Sequence, residues 1–314
     1  MVIESSEVFR RRRLMALGGL VAAVAAIVLV ARSCAGEPEL TAGSTAAQPS
    51  VAPRLPRGGT TIFPRHRVVG FYGAPQSDRL GVLGIGSPGR AAARLARVAR
   101  RYATKGRPVL PAFELISTIA AEAPGDDGLH RLHQSPATID RYLRAARRAK
   151  ALLLLDVQPG RGDFLSEARR LERWLRQPDV GLALDPEWRV GPAEIPGQVI
   201  GSVTSTEVNQ IADGLAATVA RLDLPEKLFV IHQFTDEMIT SKELLEPKDG
   251  LATVLNVDGF GDPPSKISKY DQLGPARGSG FESGFKLFYS EDLDLMSPGE
   301  VLDLKPSPDL IVYE

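Results

Sequence analysis

Near the middle of the chain, Leu182-Ala183-Leu184-Asp185-Pro186-Glu187-Trp188 places two carboxylates two positions apart at the end of an apolar run. On extended backbone alternate residues share a face, so Asp185 and Glu187 are expected to point the same way. Their mutual repulsion, added to partial burial, raises the pKa of one of them. A carboxylic acid that keeps its proton near neutral pH, beside an ionised carboxylate, is suited to general acid–base chemistry. Aromatic residues such as Trp188, Tyr72 and Tyr289 offer flat faces on which a sugar ring can stack.

Other apolar runs end on polar residues in the same manner. Read with a period of two, they give Glu114, then Asp156 with Gln158, His232 with Gln233 on the opposite face, Asn256 with Asp258, Tyr289 with Glu291, and Tyr313. Any one of these could be a loop cap or a hydrogen-bonded strand end. Their recurrence at one end of run after run is what a site requires and a purely structural core does not. The catalytic candidates are Glu187, Asp185, Asp156 and Glu291. The candidates for substrate contact are Tyr72, Glu114, Gln158, Trp188, His232, Gln233, Asp258 and Tyr289. Asp156, Asp185, Glu187, His232 and Asp258 could converge on a divalent ion, but no His-x-His follows the first run, and His130 and His133 precede a helix. No metal and no other cofactor is therefore expected. Serine chemistry has no support, because the chain lacks Gly-x-Ser-x-Gly.

Eight apolar runs position these residues. They are Val68–Tyr72, Val109–Glu114, Ala151–Asp156, Val180–Asp185, Lys227–Gln233, Leu251–Asp258, Phe285–Tyr289 and Asp309–Tyr313. Between them, Ser87-Pro88, Ser135-Pro136 and Ser297-Pro298 set a capping serine before proline at the first helical position. Ser297 with Glu300, and Thr204 with Glu207, match a capping box. Residues Asp163–Arg176 carry apolar side chains at helical spacing. The fifth interval holds only the short stretch Thr240–Leu245, and the sixth, Phe260–Gly284, reads as a long Gly- and Pro-containing loop. Strands alternating with helices over this length predict an α/β fold, a closed (β/α)8 barrel spanning residues 67–314. A doubly wound open sheet competes with it. The glycines at 81, 84 and 86 are not spaced as a dinucleotide loop, however, and lie well after the first strand.

The rest of the 314-residue chain is not barrel-like. Residues 1–34 carry net +3 and the remainder net −3, although the whole chain balances 38 basic against 38 acidic residues. That balance leaves no basic footprint for nucleic acid. Arg10–Arg13 precede Leu14–Ala31, an uncharged stretch whose length is at the lower limit for a membrane span. The flanking arginines predict an N-terminus inside, with everything after about residue 35 extracytoplasmic. Residues 1–34 are thus expected to be a signal or membrane anchor. Residues 35–66, rich in Pro, Ser and Ala, are expected to be a linker. The single cysteine, Cys34, excludes an internal disulfide and stands where a lipoprotein signal would carry its acylated cysteine. Arg32 is unusual two positions before such a cysteine, so an uncleaved helix and a lipid anchor both stay open.

In its architecture and in the Asp185-Pro186-Glu187 tripeptide ending the fourth strand, the chain resembles barrel glycoside hydrolases of the lysozyme and chitinase types. That resemblance implies that Glu187 protonates the glycosidic oxygen and that Asp185 is its electrostatic partner. The longer acidic run of chitinases and the Asn-Glu pair of cellulase-type barrels do not occur. The nucleophile is open among Asp156, Asp258 and Glu291. The expected function is hydrolysis of cell-envelope glycan by an extracytoplasmic, membrane-tethered barrel. The alternative is a non-catalytic barrel that binds carbohydrate or another surface component.

Overall fold

A computed structural model describes residues 52–314. Eight parallel strands form its centre: β1 (Arg67–Gly73), β2 (Val109–Ala120), β3 (Leu152–Val157), β4 (Val180–Leu184), β5 (Lys227–Gln233), β6 (Leu251–Val257), β7 (Glu282–Leu287) and β8 (Leu310–Tyr313). Each pairs with its neighbours in chain order, and β8 pairs with β1, so the sheet closes. The expected closed α/β barrel is therefore present. Val68 is opposite Leu110 on one side and Leu310 on the other. Strand β2 outruns its neighbours and pairs antiparallel with a three-residue strand, Arg131–His133.

Helices α1 (Pro88–Ala99), α2 (Pro136–Arg148), α3 (Phe164–Arg170), α4 (Glu172–Leu175), α5 (Ser205–Leu222), α6 (Pro263–Leu273) and α7 (Pro298–Asp303) fill most intervals. Ser87, Ser135 and Ser297 accept the backbone N–H three residues on, with proline at the first helical position, as their spacing predicts. Each such cap contributes about 1 kcal/mol. The Ser297–Glu300 box closes in both directions. At α5 Thr204 caps Glu207, but the Glu207 carboxylate turns away to the Phe164 N–H and to Arg189. The fifth interval has two 3₁₀ turns and a two-residue strand, Ile239–Thr240, paired with Val203–Thr204. The sixth, expected as a loop, contains α6. Asp262 caps it, and two prolines open it.

Alternation along the strands separates two cores. Outward residues such as Val69, Phe113, Leu153, Leu182, Phe229 and Ile311 pack under the helices. Inward residues fill the barrel, with Val68, Leu110, Leu152, Leu228, Ala252 and Leu310 in one cluster with Ala112, Leu154, Ala183, Val230, Val254 and Val312. Each fully buried aliphatic side chain contributes roughly 1.5–3 kcal/mol. Leu55, Ile62 and Phe63 belong to this inner cluster. Arg57 donates to the Val109 carbonyl at 2.9 Å, and Glu226 N–H to the Thr60 carbonyl at 2.8 Å. The last part of the expected linker is therefore packed against the barrel floor. Apolar residues spaced among prolines dock without forming a helix or strand. Residues 1–51, with the expected anchor, most of the linker and Cys34, lie outside the described residues. Among the described residues, no helix is long and apolar enough to cross a membrane.

Candidate active site at the barrel mouth

Above the inner apolar residues, the same strands continue into Tyr72 (β1), Glu114 (β2), His232 (β5), Asn256 (β6) and Lys286 (β7). Asp156 lies near the end of β3, Gln158 follows β3, Asp185 follows β4, Asp258 follows β6, and Glu314 follows β8. All of these except Glu314 are buried. Side chains two residues apart project into the same lumen, so apolar floor and polar mouth lie on the same strands.

A cleft of about 430 Å³ opens at this end. Asp185, Glu187, Asp258, Gln158, Tyr72 and Lys286 line it, with Trp188, Phe234, Phe260 and Phe288 as aromatic wall. The structure therefore brings Asp185 and Glu187 together, though not by strand geometry. Strand β4 ends at Leu184, and Pro186–Trp188 form a 3₁₀ turn with Asp185 as its first flanking residue. Pro186, which lacks an N–H, cannot continue the ladder, so the chain turns there.

Burial and the charge of Asp185 push the Glu187 carboxyl up to about 8, against the opposing pull of Lys286. Burial raises Asp185 to about 6, while the charges of His232 and Lys286 limit the rise. Asp156 is held well above the usual carboxylate range, by burial first and then by the charge of Asp185. Asp258 is also buried, but the cationic His232 and Lys286 more than offset its desolvation and hold it below its ordinary value. His232 Nδ1 lies 2.6 Å from Asp258 Oδ2 and Nε2 lies 2.9 Å from Glu114 Oε1. Those two carboxylates overcome desolvation and keep the imidazole pKa well above its ordinary value. Lys286 donates to Glu314 Oε2 at 2.8 Å and to Asp258 Oδ2 at 3.4 Å, with its ammonium 3.8 Å from the centre of the Tyr72 ring. The Tyr72 hydroxyl receives a hydrogen bond from Gln158 Nε2 at 2.9 Å. It reaches Asp156 Oδ2 at 3.1 Å and Asp185 Oδ2 at 3.5 Å. Gly284 leaves room for Asn256, because a Cβ there would stand 2.4 Å from Asn256 Oδ1.

Not every expected residue reaches the cleft. Glu114, Asp156 and His232 lie beneath it, and Glu291 is at its exposed rim. Gln233 faces outward, where its amide donates to the Thr235 carbonyl and accepts from Lys242. Tyr289 and Tyr313 were expected on the lumen side of β7 and β8 but lie on the other. Tyr289 is 43% exposed and stacks on Tyr313 at 5.1 Å, and the Tyr313 hydroxyl meets that of Tyr102 at 2.6 Å. Strand β7 ends at Leu287, and its inward residues are Gly284 and Lys286, so the phase is one residue off the expected one. Lys286, Phe288 and Glu314 were missed for the same reason. A lysine between Phe285 and Leu287, which pack under the helices, was the available signal, as was Glu314 two residues beyond Val312.

Glu114, Asp156 and His232 each offer a donor atom within 4.8 Å of the others, a spacing that could hold a metal ion. Comparison with protein-family models and with curated proteins finds no match to this chain. The chemistry must therefore be read from the site.

Proposed function

We propose that the barrel hydrolyses glycosidic bonds in a cell-envelope polysaccharide, with Glu187 as general acid. The observation that carries this reading is the shared placement of Asp185 and Glu187 in one aromatic-walled cleft at the barrel mouth. Glu187 keeps its proton up to about pH 8, so at neutral pH it can pass that proton to the leaving glycosidic oxygen. Asp185, ionised above about pH 6, faces the positive charge that develops on the sugar ring. Asp258 is a second ionised carboxylate on the cleft wall, held there by His232 and Lys286. Of the three nucleophile candidates it fits best, because Asp156 is enclosed beneath Tyr72 and Glu291 stands at the open rim. Trp188, Phe234, Phe260 and Phe288 supply ring faces that suit sugars. In this reading the N-terminal apolar run and its arginines export the barrel and tether it to the outer face of the membrane.

The test is release of new reducing ends from solubilised envelope polysaccharide by the full-length chain and by Glu187→Gln. Loss of turnover with retained polysaccharide binding supports the acid role. A wild-type chain that binds the polysaccharide without cleaving it, and a variant that behaves identically, would establish the binding-barrel alternative instead.

A further inference from the structure

Beneath the cleft, the side chains of Glu114, Asp156 and His232 converge from β2, β3 and β5 with no more than 1% exposure. None of the three lines the cleft. Tyr72 separates them from it, through its hydroxyl contact with Asp156. Two carboxylate oxygens of this cluster, Glu114 Oε2 and Asp156 Oδ1, are buried without a hydrogen-bond partner among the described residues. Asp156 Oδ1 is directed into the cluster, 3.9 Å from His232 Nε2. A buried carboxylate oxygen without a donor is costly, and its charge must be met by a proton or a cation. The surrounding layer deepens the need. Glu114, Asp156, Asp185 and Asp258 are all buried; His232 pairs with Glu114 and Asp258, Lys286 with Asp258, and Asp185 has an ion pair with neither.

The far side of the imidazole is arranged in keeping with a ligand role. His232 Nδ1 sits 2.6 Å from Asp258 Oδ2, and Asn256 Nδ2 donates to Asp258 Oδ1 at 2.6 Å. A carboxylate on the distal nitrogen fixes the ring and leaves Nε2 pointing forward, the arrangement that orients metal-binding histidines. We propose that Glu114, Asp156 and His232 Nε2 bind one divalent first-row transition ion, Mn²⁺ or Zn²⁺. One imidazole and two carboxylates suit these ions, whereas Ca²⁺ seeks six to eight oxygens. On binding, Nε2 gives up its proton and the ion replaces the hydrogen bond to Glu114. Because its ligands lie below the cleft, the ion compensates buried charge and holds Asp156 against Tyr72 instead of contacting substrate. The site does not depend on the glycosidase reading, since metal uptake is measured without turnover.

The experiment titrates the chelator-treated full-length chain with MnCl₂ and, separately, ZnCl₂ by calorimetry, with unfolding temperature followed in parallel. One equivalent binding at micromolar or tighter affinity with a raised unfolding temperature is expected. Asp156→Asn and Glu114→Gln, checked for folding by circular dichroism, should each weaken binding at least tenfold. A readout on the unaltered chain guards against a variant that fails to fold. Pulsed electron paramagnetic resonance of bound Mn²⁺ should show coupling to one imidazole nitrogen, and that coupling should persist in His133→Asn. No stoichiometric uptake of either ion by the folded chain would overturn the site, as would binding unchanged in both variants or bound Mn²⁺ without nitrogen coupling. Protons would then take the place of the ion at the unpartnered Glu114 and Asp156 oxygens.

Discussion

Glu167 is buried and Glu187 half-buried, yet their carboxyls are driven in opposite directions. Burial raises Glu167, but hydrogen bonds from His133 and Thr118 and the charge of Arg170 overcome it and leave the group at about 2. Arg131 adds an ion pair at 2.6 Å. Every donor that converges there ties β2, the Arg131–His133 strand and α3 together. Glu187 has burial without that company, and its neighbour Asp185 is another acid, so it rises to about 8. The lesson is that burial alone does not mark function. A satisfied carboxylate cluster is a structural tie, whereas one with too few donors keeps a proton to give.

The largest effect that could break this comparison is on rate. Under the proposed function, Glu187→Gln should reduce polysaccharide hydrolysis by about 10²–10⁴. The unfolding temperature should be unchanged or raised, because folding no longer has to take up a proton at this position. A variant that loses stability in step with activity would make Glu187 another structural tie. Glu167→Ala is the converse. It leaves Arg131, Arg170 and His133 facing one another and should cost about 3 kcal/mol in denaturant unfolding, somewhat less for the more exposed partners. Residual activity per folded molecule should stay near wild type.

The pH dependence sharpens the same contrast with a smaller effect. A dyad that needs Asp185 ionised and Glu187 protonated should give a bell-shaped rate profile with limbs near pH 6 and 8, falling about tenfold per unit beyond each. Stability should move oppositely at the two glutamates. The folded pKa of Glu187 lies above its unfolded value of about 4.3, so the folded state holds the extra proton and stability declines as pH rises toward 8. The folded pKa of Glu167 lies below that value, so its contribution is present above about pH 4.3 and is lost as pH falls toward 2. Denaturation curves of Glu187→Gln and wild type should diverge as pH rises from 5 to about 8 and run parallel above it. Curves parallel throughout would remove the basis for the raised Glu187 value.

Much of this was legible in the sequence. Apolar runs located all eight strands, and period-two alternation gave the inward phase of β2 to β6, because there the helix-facing positions are large and apolar while the lumen positions change from aliphatic to acidic. It failed at β7, where Gly284 gives no inward signal and Tyr289 lies beyond the strand end. It failed at α6 for a related reason. The buried side of that helix is Lys266, Tyr270 and Leu273, and its lysine is satisfied by the Gly259 and Lys286 carbonyls and by Asp292. A polar residue buried through partners distant in sequence leaves no hydrophobic period to read. The Asp185–Glu187 pair was found by type and spacing, but its turn geometry depends on where β4 ends.

The smallest effect is expected at Trp188, by contrast with Trp174. Trp174 is 4% exposed, its indole N–H donates to Asp140 at 2.7 Å, and the Arg173 guanidinium covers its ring at 3.9 Å. All of its surface is spent on the fold, so Trp174→Ala should cost about 3–5 kcal/mol of stability and leave the Michaelis constant unchanged. Trp188 is half-buried in the turn that carries Glu187 and lines the cleft. If its ring stacks on a sugar, Trp188→Ala removes about 0.5–1.5 kcal/mol of contact beyond simple burial, which is a rise in the Michaelis constant of at most roughly tenfold. Trp188→Phe keeps an aromatic face and should recover part of it. If Trp188→Ala instead lowers the unfolding temperature as Trp174→Ala does, with affinity for polysaccharide intact, the aromatic wall is packing and the cleft is not a sugar site.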